Sequence, residues 1–270
     1  MMTHLERIMS RTLANLIERK QRTSLPDLER RAEAHHPRGF AAGLARVAES
    51  GPAIIAELKK ASPSKGILRE DYRPAVTAPE YQRGGAAAIS VLTDEEFFQG
   101  SLDDLVQVAN AVSIPVLRKD FILDAFQILE ARAAGADAVL LIVAAHPDRV
   151  LKTLSASALA LGLDVLCEVH DGEELQRATD LGFSTIGVNC RDLKTLAVNS
   201  ARHLQLAEKM PAHCLRVAES GIRDGEDIRR LRDAGYQAFL IGEALMREQD
   251  PGAALAALIA QAKQTHAAAV

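Results

Sequence analysis

Charged side chains stand at the ends of apolar runs in this chain, and their types suit proton transfer. The run Ile54-Ile55-Ala56-Glu57-Leu58-Lys59 carries a carboxylate and an ammonium two residues apart, hence on one side of an extended strand. If that side faces a lumen, Glu57 and Lys59 form an ion pair near its mouth; a purely structural salt bridge is the plain alternative. The run Val116-Leu117-Arg118-Lys119 ends on two cations that point to opposite sides, so at most one enters an interior. Glu168 interrupts Val165-Leu166-Cys167-Glu168-Val169-His170. A desolvated carboxylate there has a raised pKa, as a general acid or base near neutral pH requires; a Glu paired with a neighbouring Lys for structure alone is the alternative. His170 reads as a rim residue, and Cys190 as a packing residue. Asn189 and Arg191 share a face and offer neutral and charged donors to a carboxylate or hydroxyl. Glu219 closes another apolar run, followed by Ser220 and Gly221, and Gly242 follows Leu240-Ile241. Small residues at these two joints let backbone N–H groups approach an oxyanion, although each is also ordinary turn chemistry. Glu243 is a misfit beside such an anion, so its side chain is expected to point away.

Burying an unpaired charge costs several kcal/mol, so a buried strand carries one only for a reason. The elements that position these residues are eight short apolar runs, at 53–59, 87–92, 114–119, 137–143, 164–169, 184–189, 214–219 and 237–241. Segments of helical periodicity lie between them, for example 124–134 and 223–234. Gly84-Gly85, Gly135, Gly162, Gly182 and Gly235 mark the handovers from helix to strand. Ser101, Asp171 and Asp224 are placed as N-caps. Eight strand–helix units predict an α/β fold, a single (β/α)8 TIM barrel, whose active site would sit at the C-terminal ends of the strands. Residues 1–50 form an N-terminal helical extension of two helices, one with the stripe Leu5, Ile8, Leu13, Leu16 and Ile17, the other broken near Pro37. The barrel spans 52–264, and the whole chain, 1–270, reads as one domain. It closes soon after the eighth helix, so no fused second enzyme is expected.

Composition removes several classes. The net charge of -4, from 32 basic and 36 acidic residues, supplies no field for a polyanion, so no nucleic acid partner is expected. The apolar run Ala138–Ala145 is too short to span a bilayer, and the charged start lacks the apolar centre of a signal peptide. The three cysteines (Cys167, Cys190, Cys214) form no C-x-x-C pair, which suits a reduced, cytoplasmic protein. No spacing among the eight histidines suggests a metal site. No G-x-G-x-x-G follows the first strand, and no G-x-S-x-G or phosphate loop occurs.

Six segments in order, Ala56-Glu-Leu-Lys-Lys-Ala-Ser-Pro-Ser-Lys-Gly66, Ser90-Val-Leu-Thr-Asp94, Leu117-Arg-Lys-Asp-Phe-Ile122, Cys167-Glu-Val-His170, Gly187-Val-Asn-Cys-Arg-Asp-Leu193 and Ala218-Glu-Ser-Gly-Ile222, closely resemble the indole-3-glycerol phosphate synthase family. The resemblance implies a (β/α)8 barrel of tryptophan biosynthesis without metal or organic cofactor. It implies conversion of 1-(o-carboxyphenylamino)-1-deoxyribulose 5-phosphate into indole-3-glycerol phosphate, carbon dioxide and water. By resemblance Lys119 is the leading general acid, Glu168 the base, Lys59 the holder of the substrate carboxylate and a second acid, and Glu57 the group that orients Lys59. Asn189, Arg191 and Glu219 would orient carboxylate and hydroxyls. Ser62, Ser220, Gly221 and the backbone of Gly242 would surround the phosphate, and Phe98 and Phe121 would wall the aryl ring. The chain departs from the family in having Cys190 where a second Asn is usual, and Glu243 where some members carry Ser. The only partner implied is a small phosphorylated substrate, with a weak contact to neighbouring pathway enzymes left open. Two rivals remain: another phosphate-binding barrel such as phosphoribosylanthranilate isomerase, and a catalytically silent barrel.

Overall fold

The computed structural model describes residues 2–193 and 195–264. Eight strands form its centre: β1 (Ala53–Leu58), β2 (Ala88–Leu92), β3 (Val116–Lys119), β4 (Ala138–Ile142), β5 (Asp164–Val169), β6 (Thr185–Asn189), β7 (Leu215–Glu219) and β8 (Ala238–Ile241). Each pairs in parallel with its sequence neighbours, and β1 also pairs with β8, which closes the barrel. The expected runs contain these strands, with ends differing by at most two residues.

The period of two sorts the side chains. Ala53, Ile55, Leu117, Leu140, Leu166, Val217 and Leu240 form one buried cluster in the lumen. Ile54, Ala56, Leu58, Val139, Leu141, Ile186 and Val188 join a second cluster against the surrounding helices. Burial on both faces explains why the strands read as continuous apolar runs. The helices start as expected: Ser101 accepts from the Asp104 N–H at 3.0 Å, Asp171 from that of Glu174 at 2.9 Å, and Asp224 from those of Glu226 and Asp227. At the helix-to-strand joints Gly85 and Gly235 hold φ of 97° and 96°, where a side chain would be strained.

The extension differs from expectation. It has three helices, α1 (His4–Arg22), α2 (Leu25–Ala34) and α3 (Phe40–Ala48), because the chain stays extended around Pro37 and restarts at Gly39 with φ 74°. In α1 the buried side chains are Ile8, Thr12 and Leu16, whereas Leu13 and Ile17 lie exposed. Arg38 docks this extension on the barrel. Its backbone N–H and Nε donate to the buried Asp137 carboxylate at 2.7 and 2.8 Å, and its guanidinium donates to the carbonyls of Val112 and Gly135. Val116 N–H also donates to Asp137 at 2.6 Å. Burial pushes the Asp137 carboxyl up, but His35 and Arg38 outweigh it and hold the group below the usual range. The loop after β1 carries a small hairpin, Ala61–Ser62 against Gly66–Ile67.

Candidate active site

A cavity of about 880 Å³ opens at the C-terminal ends of the strands. The β1 pleat sends Glu57 and Lys59 into it, and their side chains form an ion pair. On β3 the pleat separates the two cations. Arg118 turns outward, 1% exposed, and bonds Asp120 at 2.8 Å, Thr93 at 3.1 Å and the Gln127 carbonyl at 2.7 Å. Lys119 enters the lumen, where its Nζ lies 3.3 Å from Glu168 Oε2 and 3.7 Å from Glu219 Oε2. Asn189 Oδ1 accepts from the Arg191 N–H at 2.9 Å, which ties the end of β6 to its loop. The Arg191 guanidinium reaches Ser64 Oγ at 3.1 Å and the Leu196 carbonyl at 3.2 Å.

All the remaining expected residues line the same cavity: Ser62, Ser220, Gly221, Gly242, Phe98 and Phe121. The Ser62 hydroxyl is buried without a partner. Ser220 and Gly221 are both left-handed, with φ of 64° and 73°, so the chain turns sharply after β7 at some cost for the serine. The Phe98 and Phe121 rings sit 6.5 Å apart, tilted by 36°.

Charge is crowded here. Burial pushes Glu57 up, but Lys59 and Lys119 outweigh it and hold the carboxyl below its usual range. Burial opposes the Lys119 cation, yet Glu168, Glu219 and Glu57 together raise it above an ordinary lysine. For Glu168 the structure corrects the sequence expectation of a raised pKa: burial does push it up, but Lys119 and His170 outweigh burial and hold it ionised. The raised carboxyl is Glu219, through burial and then the negative charge of Glu168 beside it. Two carboxylates that close cannot both ionise without cost, so Glu219 is the member of the pair pushed toward its protonated form, while Lys119 and Glu168 face each other at 3.3 Å. Asp94, also on the cavity wall, is pushed up to about 6 by burial.

Several contributors escaped the sequence reading. Leu5 and Ile8 of α1 line the cavity, which their helical stripe alone did not reveal. Gly187 leaves room for the Glu219 carboxylate, and a Cβ there would overlap it; Gly242 does the same for Glu57. A glycine inside a strand is the signal that marks such close approach. His170 is not a rim residue: it is 7% exposed, with Nε2 3.3 Å from Glu168 Oε1 and Nδ1 3.0 Å from Glu174 Oε2. Glu243, expected to point away, lines the cavity, its carboxylate 3.6 Å from Arg191 and 3.4 Å from Arg247; the two guanidiniums answer its charge. Among the described residues no cluster of three or more His, Cys, Asp or Glu is arranged to hold a metal ion, and no helix is long and apolar enough to cross a membrane.

Residues 5–258 match the family model described as indole-3-glycerol phosphate synthase. The chain belongs to the indole-3-glycerol phosphate synthase family. A relative of that name from Koribacter versatilis is 55% identical over 259 residues, covering 96% of this chain and 100% of its own. Another, from Polaromonas naphthalenivorans, is 51% identical over 242 residues, 89% of this chain and 92% of its own. The barrel is also similar to a solved mandelate oxidase variant, with a TM-score of 0.61 at 18% identity over 78% of this chain and 72% of that one; at that identity the likeness speaks for the fold alone. Family membership makes the chain a carboxy-lyase of tryptophan biosynthesis.

Proposed function

We propose that the residues of this cavity divide the family's reaction among them: closure of the indole ring of 1-(o-carboxyphenylamino)-1-deoxyribulose 5-phosphate with loss of carbon dioxide and water. The observation that carries this reading is Lys119 Nζ between Glu168 and Glu219, in a cavity with an aromatic wall and a rim of small residues. An aryl carbon attacks the substrate ketone, so the ketone oxygen needs a proton or a cation. Lys119, held charged by its acidic neighbours, supplies it, and Lys59, the second acid, protonates the hydroxide as it leaves as water. Glu168 is ionised and so free to accept a proton. When Lys119 turns to the substrate its hold on Glu168 weakens, burial raises the carboxylate's basicity, and it takes the proton from the amine side, where a base is required. Lys59 grips the substrate carboxylate and Glu57 fixes Lys59. Asn189, Arg191 and Glu219 orient the carboxylate and hydroxyls. Ser62, whose hydroxyl lacks a protein partner, joins Ser220, Gly221 and the Gly242 backbone around the phosphate. Phe98 and Phe121 flank the aryl ring, with the apolar Leu5 and Ile8 closing the slot from α1. The three buried, free cysteines suit a cytoplasmic setting.

The test is to supply that substrate and follow carbon dioxide release together with indole absorbance. Both should appear; an isomerase would release no carbon dioxide. Lys119→Met should lower kcat by at least about 10²-fold. The variant should keep the fold, read by far-UV circular dichroism, because the change is confined to the cavity. Near-normal turnover in this variant would reject Lys119 as the acid.

A further inference from the structure

The Glu168 carboxylate is held from two sides, and only one of its partners belongs to the cavity. Oε2 faces Lys119 at 3.3 Å, and Oε1 faces His170 Nε2 at 3.3 Å. His170 does not line the cavity, so it reaches the substrate only through Glu168. Its other ring nitrogen, Nδ1, lies 3.0 Å from Glu174 Oε2, and the same oxygen accepts the His170 backbone N–H at 2.7 Å. Glu174 is itself set by the helix Gly172–Asp180, where its N–H donates to the N-cap Asp171. The ring therefore sits between two carboxylates. Nε2 makes no hydrogen bond of good geometry and meets Glu168 as an ion pair, so it is the charge of an imidazolium, with N–H groups on both nitrogens, that ties the ring to both carboxylates.

We propose that His170 is a positioning residue: an imidazolium bridge between Glu174 and Glu168 that fixes the base carboxylate and places a countercharge behind it. This rests on Glu168 acting as the base. The groups facing the ring are Glu168 from β5 and Glu174 from the following helix, with Lys119 of β3 and Glu219 of β7 beyond Glu168. Burial disfavours the His170 cation, but the two glutamates outweigh it and push the ring up to about 10. The consequence is that Lys119 can swing toward substrate without leaving Glu168 alone as a buried anion.

A double-mutant cycle in kcat tests this, with His170→Asn, Glu168→Gln and the two combined. His170→Asn should lower kcat about tenfold while KM stays within about twofold, as expected for misplacing a group that acts in the transition state. The combined variant should be no slower than Glu168→Gln alone, because residues acting as one unit are non-additive. Additive losses, or wild-type kcat in His170→Asn, would overturn the proposal. Wild-type turnover in Glu168→Gln would instead remove the base assignment and the proposal with it, a separate outcome. Should His170→Asn fail to fold, Glu174→Gln takes its place in the cycle. NMR of labelled histidine in the unaltered protein gives an independent reading. The His170 ring should stay doubly protonated at pH 8, and a neutral ring there would overturn the bridge.

Discussion

Lys119, Glu168 and Glu219 are all buried, and burial pushes each toward its neutral form. What separates them is company: Lys119 meets three acidic groups and is pushed toward its charged form, Glu168 meets Lys119 and His170 and is held ionised, and Glu219 meets Glu168 as well as Lys119 and is pushed toward its protonated form. The side on which Glu57 and Lys59 lie was legible in the sequence, since the period of two is local. The state of Glu168 was not, because its partner Lys119 is 49 residues away. Gly187 is the sharpest case of a missed residue. It sits opposite Glu168 across β5 and β6, and a Cβ there would run into the Glu219 carboxylate and into Leu166. Gly187→Ala should therefore cost roughly 10²-fold in kcat, the scale of a small misplacement of reacting groups. Steady-state kinetics on the folded variant decide this, and kcat within twofold of wild type would show that Glu219 has room to shift.

At the scale of elements, strand order and helix starts were readable because their signals are short-range: buried strands, N-caps and left-handed glycines. The barrel's closure was inferred from the number of units, and the pairing of β1 with β8 agrees. The extension was less legible. Its break at Pro37 pointed to two pieces, but what docks it is Arg38 on Asp137, 99 residues away. Asp137 is fully buried and Arg38 mostly so. Removing the cation leaves a buried carboxylate with hydrogen-bond partners but without its guanidinium, a change that typically costs about 3–5 kcal/mol. Arg38→Met should thus lower Tm by on the order of 10 °C, at roughly 2–4 °C per kcal/mol for a chain of this size. Because α1 contributes Leu5 and Ile8 to the cavity, loosening the extension should also raise KM. A variant with unchanged Tm would mean that the apolar faces of the extension hold it without this clamp.

Over the whole molecule, stability and chemistry occupy opposite ends of the barrel. At one end Asp137, just ahead of β4, is satisfied by four donors. At the other, Glu57, Glu168 and Glu219 crowd around two lysines, and neither Glu219 oxygen has a hydrogen-bond partner. Such crowding favours function at the expense of stability, and Glu219 makes the cost measurable. Its folded pKa is raised, so the stability it contributes is fully present below the unfolded value, about 4.3. That stability is lost as pH rises through the folded value, because the unfolded chain releases the proton first. Within that window each pH unit costs the wild type up to about 1.4 kcal/mol, or roughly 3 °C in Tm. Glu219→Gln keeps the shape of the protonated acid and removes the loss. Its Tm relative to wild type should climb by several degrees between pH 5 and pH 8, while its turnover falls because the group that orients the substrate is altered. Parallel Tm curves for the two proteins across that range would mean that Glu219 is ionised in the folded state like an ordinary carboxylate, and that Lys119 balances two anions.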